Sequence, residues 1–262
     1  LDADMAAEIH AYLRGQGVEL RLGARVSGFS PQGDGLAVEL EGGERFPADL
    51  VLLGIGVAPD TELARRAGLA LGVKGTISVD GQMRTSAPDV YAVGDAVEVR
   101  HFVTGAQSHI ALAGPANKQG RIAGGNVAGG HDTFKGILGS MVTKVFELFI
   151  AATGLSKEQA AGEGYDAISV SITKADRASY YPGGRDNHIC LIVDKKTGRL
   201  LGAQGIGSQS IAGRINVLAT AITCGMTVEE INELDLVYAP PAAPVYDPIL
   251  IAANQAMKKI TE

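Results

Sequence analysis

The chain has 262 residues, 46% hydrophobic and 20% charged, which is enough apolar material for about two domains and excludes a disordered tail. Its formal net charge of -6 excludes a general nucleic-acid binder, which needs a basic face for phosphates. Two cysteines, Cys190 and Cys224, form neither a disulfide framework nor a metal-ligand spacing and point to a reducing cytoplasm, and no apolar run reaches the length of a membrane span. Leu1 opens directly on an acidic, helix-like stretch without the features of a secretory signal. Glycine is the outlier: 35 residues, against an ordinary usage of about 7%.

In chain order, Met5, Ile9, Tyr12 and Leu13 share one helical face, and Gly15 and Gly17 end the helix. A short strand, VELRL, follows at 18–22, then strand-like runs at 24–29 and 36–40. The turn EGGE leads to a buried apolar strand at 49–54 that runs into GIGVAPDT. This is the pattern of the second half of an α/β nucleotide domain. Residues 60–67 read as a helix with Asp60 or Thr61 as N-cap, 76–79 and 90–93 as short buried strands, and 112–127 as a helix. Beyond about residue 136 the character changes. Strands are expected at 141–152, 167–173, 188–193 and 199–206. Helices open at the capping boxes SKEQ (156–159) and TVEE (227–230), and further helices cover 211–224 and 247–260. The last part is thus expected to be an antiparallel sheet carrying helices, separate from the α/β part.

Residues 85–95, TSAPDVYAVGD, place Asp95 at the end of an expected strand, where ligands of open α/β folds bind. Gly94 permits close backbone approach, and an Asp carboxylate there can accept hydrogen bonds from a polyol. The plain alternative is a strand ended by a capping Asp. The helix beginning LAGPANKQGR has Pro115 in its first turn, and the free N–H groups around residues 113–116 would favour an anion in front of it. Here the alternative is an ordinary amphipathic helix. Cys190 and Cys224 read as small buried hydrophobes, and His188, inside a strand, as structural.

TSAPDVYAVGDA followed by HIALAGPANKQGRIAGGNVAG resembles the second flavin-binding segment of the pyridine nucleotide-disulfide oxidoreductases. The preceding GIGVAPDTELARRAGL resembles the hinge between their NAD and FAD domains. The resemblance covers essentially the whole chain. It implies FAD and NAD(P)H as cofactors, with Gly94, Asp95, Leu112, Ala113, Ala116 and, at the hinge, Gly56 beside them. It implies three parts: 1–56 as the second half of an NAD(P)-binding domain, 57–135 as the C-terminal segment of an FAD domain, and 136–262 as an α+β dimerisation domain. In that family both dinucleotide glycine motifs and the redox cysteine come earlier; none is in this chain, so Leu1 is expected to fall partway through the NAD domain.

The thiol-pair members of the family carry a His-Pro motif in the last domain, and this sequence has none. Instead ASYYPGG at 178–184 and LVYAPPAAPVYDP at 236–248 resemble the single-cysteine branch of coenzyme A disulfide reductases, NADH oxidases and persulfide reductases. The match implies that Tyr180 and Tyr238 reach the partner subunit's active site in a homodimer, with Tyr181 the less favoured choice for the first. A phenol can assist an expelled thiolate while staying neutral at pH 7. The implied substrate is a low-molecular-weight disulfide or persulfide, coenzyme A disulfide among the candidates. Three alternatives stay open: an NADH oxidase or peroxidase, a non-catalytic dimerisation module, and a longer protein with a rhodanese-like neighbour.

Overall fold

The computed structural model describes residues 1–261, which fall into two compact units, one of Ala6–Ala58 and one of Leu1–Met5 with Pro59 onward. Helix α1 (Ala3–Gly15) carries Met5, fully buried, in its first turns. Unit Ala6–Ala58 contains a three-stranded antiparallel meander of β1 (Val26–Gln32), β2 (Gly35–Leu40) and β3 (Arg45–Ala48). Gln32 pairs with Gly35 across a two-residue loop, and Gly33 takes the positive φ (58°) that such a turn requires.

Two expectations fail in this unit. No strand forms at 18–22 or at 49–54, and Leu50, Leu52 and Ile55 are more than four-fifths exposed. Both runs are apolar enough for a strand, but a strand also needs a neighbour for its N–H and C=O groups, and neither finds one among the described residues. The strand that does form, β3, lies between the expected turn and residue 49 and pairs with β2 despite Pro47.

In the other unit, α2 (Glu62–Arg66) begins after Thr61. The Thr61 hydroxyl donates to the Gly75 carbonyl at 2.8 Å instead of capping the helix. Residues 76–79 make only isolated bridges through Ile77, to Leu71 and Val97, in place of the expected strand. Ile77, Val97, Val99 and Ile137 form a small core there. Strands β4 (Val99–Arg100) and β5 (Gln107–Ser108) and helix α3 (Ala113–Val127) follow.

The larger core belongs to a five-stranded antiparallel sheet in the order β6-β7-β10-β9-β8. The run expected as one strand at 141–152 is two, β6 (Met141–Val145) and β7 (Leu148–Gly154). The chain reverses at Phe146, a non-glycine residue at φ 51°, so the turn carries no Gly or Asn to announce it. Helix α4 (Lys157–Gly162) leads to β8 (Ala167–Ala175), β9 (Asp186–Asp194) and β10 (Leu200–Gly207). Alternate residues Ile189, Leu191 and Val193 of β9 pack with Ile211, Ile215 and Leu218 of α5 (Ser210–Cys224), and with Ile249, Ala252 and Ala256 of α7 (Pro248–Thr261). A Cβ on Gly202 of β10 would run into the backbone of Leu155, which is why the strand is glycine there. Both capping boxes form, Ser156 with Gln159 ahead of α4 and Thr227 with Glu230 ahead of α6 (Val228–Asn232).

Candidate functional site

Residues 90–93 form no strand. Tyr91 bridges Arg84, the Ala92 N–H donates to Met83, and Val90 and Val93 are 40% and 37% exposed. As at 49–54, a β-prone sequence without a full ladder partner stays irregular. Gly94 then opens a single 3-10 turn (Gly94–Ala96) at φ 80°, a backbone state suited to glycine. Its N–H donates to Oε1 of the buried Gln119 on α3 at 2.8 Å, which docks the turn on the helix. A Cβ at Gly94 would stand 3.8 Å from the Ala116 methyl. The Asp95 carbonyl accepts from His109 Nε2 at 2.8 Å. The Asp95 carboxylate is exposed and meets no partner among the described residues.

Leu112 is the N-cap residue of α3 and provides no side-chain cap. The Ala116 N–H is already taken by the Leu112 carbonyl at 3.2 Å, and Pro115 has none. The open donors are therefore the amides of Ala113 and Gly114, narrower than the 113–116 span expected. Ala116 meets the turn only through its methyl group. The structure thus brings together Gly94, Ala116 and the start of α3. Gly56 lies in the unit of Ala6–Ala58, exposed and at φ 88°.

The tyrosines stand on two irregular segments, one between β8 and β9, the other between α6 and α7. The hydroxyls of Tyr180 and Tyr238 are 3.4 Å apart, while Tyr181 instead closes a turn through its N–H to Ala178. Tyr180 is 74% and Tyr238 46% exposed, so both rings face outward. The Ala178 N–H donates to the Pro240 carbonyl at 3.3 Å and ties one segment to the other. The hydrogen bond to Tyr180 raises the Tyr238 pKa above the ordinary phenol value, and partial desolvation adds to it.

At the feet of these segments lies a buried polar network that the sequence did not reveal. Burial opposes charge on Asp176, but hydrogen bonds from Arg177, Ser208 and the Arg185 N–H outweigh it and hold the carboxyl below its usual range. Arg214 of α5 pairs with Asp247 at 2.8 Å. The only local signal was a charged residue on the apolar face of α5. Cys190 is buried, which raises its thiol pKa, whereas Cys224 is exposed at the end of α5, contrary to expectation. The expected burial assumed that the apolar character of α5 extends to its last residue, but Thr223 and Cys224 lie on its outer face. His188 sits in β9 opposite Ile206 and Thr173. Among the described residues no helix is long and apolar enough to cross a membrane, and no cluster of three or more His, Cys, Asp or Glu could hold a metal ion.

Comparison with known proteins finds two family matches in succession along the chain. Residues 1–120 match the family described as pyridine nucleotide-disulphide oxidoreductase, and 141–247 match its dimerisation domain. The NAD(P)H sulfur oxidoreductase (CoA-dependent) of Pyrococcus furiosus is 42% identical over 214 residues, 82% of this chain and 48% of that protein. The NADH oxidase of Methanocaldococcus jannaschii is 35% identical over 261 residues, 100% of this chain and 58% of that protein. Among solved structures, an NAD-dependent persulfide reductase from A. fulgidus superposes with a TM-score of 0.95 at 41% identity, covering 99% of this chain and 48% of that one. The chain spans about half the length of the curated relatives it matches.

Proposed function

Because this chain belongs to the pyridine nucleotide-disulphide oxidoreductase family, we propose that it supplies one side of a flavin site and a pair of sulfur-facing tyrosines to an FAD- and NAD(P)H-dependent reductase of a low-molecular-weight disulfide or persulfide. Coenzyme A disulfide is the leading substrate within that class. The reading divides the chain into an NAD(P)-domain part at 1–56, an FAD-domain part at 57–135 and a dimerisation domain at 136–262.

The residues present fit a flavin. Asp95 offers an open carboxylate for the ribityl hydroxyls, and Gly94 puts no side chain in the way. The open Ala113 and Gly114 amides at the positive end of α3 suit an anionic ring edge, with Leu112 and Ala116 framing them. Gly56, in the unit of Ala6–Ala58, is proposed by itself as a cofactor contact. Bound FAD supplies two-electron transfer between NAD(P)H and the sulfur substrate.

The observation that carries the reading is the meeting of Tyr180 and Tyr238 at 3.4 Å on an outward-facing surface. Cleavage of an S–S bond leaves a thiolate. With its pKa raised, Tyr238 keeps its proton at pH 7, and its O–H, turned from Tyr180 to the sulfur, stabilises the leaving thiolate by donating a hydrogen bond. Outward exposure suits delivery of the pair to the other subunit of a homodimer. The second reading, an oxygen-reducing NADH oxidase, draws on the relative of that name; there the tyrosines have no leaving thiolate to assist. NADH consumption by the flavin-loaded protein, measured with coenzyme A disulfide, polysulfide and oxygen in turn, decides between them. Turnover with oxygen alone overturns the first reading.

A further inference from the structure

Two loops can hold a pair of hydroxyls in register only if something holds the loops. The backbone bond from Ala178 to Pro240 is one tie. A second tie, and one that reaches both segments, runs through a single side chain. Arg214 donates through Nε to both carboxylate oxygens of Asp247 at 3.1 Å and through Nη2 to Oδ2 at 2.8 Å. The same Nη2 donates to the backbone carbonyl of Asp176 at 3.0 Å, and Nη1 to the Ser210 hydroxyl at 2.8 Å. Asp176 is the first residue after β8 and so begins the segment that carries Tyr180. Asp247 immediately precedes α7 and so ends the segment that carries Tyr238. One guanidinium therefore spans the root of both.

Burial rules out a casual contact. Arg214 and Asp247 are each 7% exposed, and Asp176 1%. A buried ion pair seldom adds net stability over apolar packing of the same volume, because both charges must first leave water. The neighbouring inward residues of α5, Ile211, Ile215 and Leu218, show that this helix packs well with apolar side chains. What a guanidinium adds is geometry: a planar fork of donors with fixed directions, which a lysine cannot reproduce. It projects from a helix anchored in the core, so the fork has a rigid base.

We propose that Arg214 is a positioning residue that sets the separation of Tyr180 and Tyr238 by clamping the root of each tyrosine segment to α5. This rests on the assignment of that pair as the sulfur-facing groups. Arg214 itself touches no substrate and acts through Asp176 and Asp247.

The test uses Arg214→Lys and Arg214→Met. The titration of Tyr238 is read from the near-ultraviolet phenolate absorbance, as the difference between each protein and the same protein carrying Tyr238→Phe. In the parent, the hydrogen bond between the two hydroxyls raises the Tyr238 pKa above the ordinary phenol value. The expected result is that both variants keep a cooperative unfolding transition while Tyr238 returns towards an ordinary pKa of about 10. In the flavin-loaded protein, kcat with a disulfide falls roughly 10- to 100-fold, with a smaller change in KM. An unaltered Tyr238 titration in the folded lysine variant overturns the proposal. So does failure of both variants to fold, since Arg214 would then support the domain rather than the pair. If instead Tyr180→Phe and Tyr238→Phe leave disulfide turnover unchanged, the functional reading fails while the titration still decides the clamp.

Discussion

Tyr180 and Tyr238 are 58 positions apart in sequence, yet their hydroxyls meet at 3.4 Å. The contact makes each a probe of the other. Replacing Tyr180 with Phe removes the hydroxyl partner that raises the Tyr238 pKa, so Tyr238 should titrate lower, towards about 10. In the flavin-loaded protein the same change should slow disulfide turnover by roughly 100-fold and leave oxygen turnover unaffected. Equal loss with both acceptors would mean that the tyrosine serves the fold and not the leaving sulfur.

At the Gly94 turn, Gly94→Ala should cost about 1–2 kcal/mol, because an L-residue is strained at φ 80°. Room is not the issue, since the new methyl would meet Ala116 at an ordinary 3.8 Å. Gln119→Leu attacks the same turn differently, leaving the Gly94 N–H without its acceptor at a cost of about 1–3 kcal/mol. Denaturant unfolding gives both values. Flavin titration should show weaker binding in each variant, and unchanged affinity in both would remove this turn from the flavin site.

His101 provides a pH test. It is buried, its Nδ1 accepts from the Val103 N–H at 3.3 Å, and burial lowers its pKa despite the opposing pull of Glu163. The folded protein therefore resists protonating it more than the unfolded chain does. The stability this contributes is complete above the unfolded value of about 6.5 and is lost as pH falls from there through the folded value. In His101→Asn the part of the decline that begins near pH 6.5 should disappear. Identical unfolding profiles for the two proteins across that range would refute the assignment.

The two thiols should separate cleanly. Cys224 is exposed, whereas Cys190 is buried in β9 with its pKa raised by that burial. A thiol reagent should modify Cys224 in the native protein and reach Cys190 only after denaturant is added. Mass analysis of the labelled peptides identifies which has reacted, and native labelling at Cys190 would contradict the packing of β9.

What could be read from the sequence was local. The capping boxes at Ser156 and Thr227 formed because both partners lie within one helical turn. Strands β8, β9 and β10 appeared close to their expected positions because their apolar runs are long and find each other. Residues 49–54 and 90–93 carry the same β-prone composition and stayed irregular, since composition says nothing about whether a partner strand is at hand. The Gly94, Asp95 and α3 grouping was visible as a motif, but its fastening through Gln119 was not, because that bond joins residues 25 positions apart. The tyrosine pair came from a resemblance. Arg214 went unnoticed because a lone arginine in an apolar helix gives no hint of which backbone it will reach.

Asp247 holds two posts at once. One oxygen accepts the Ile249 N–H at the start of α7 while both receive Arg214. The last helix and the arginine therefore draw on the same carboxylate, and removing it frays a helix end and frees a buried cation together. A double-mutant cycle between positions 214 and 247 subtracts the helix-end part, which is lost on both sides of the cycle, and returns the coupling of the ion pair. The single change at Asp247 overstates the ion pair, because the Ile249 N–H loses its acceptor whether or not Arg214 is present.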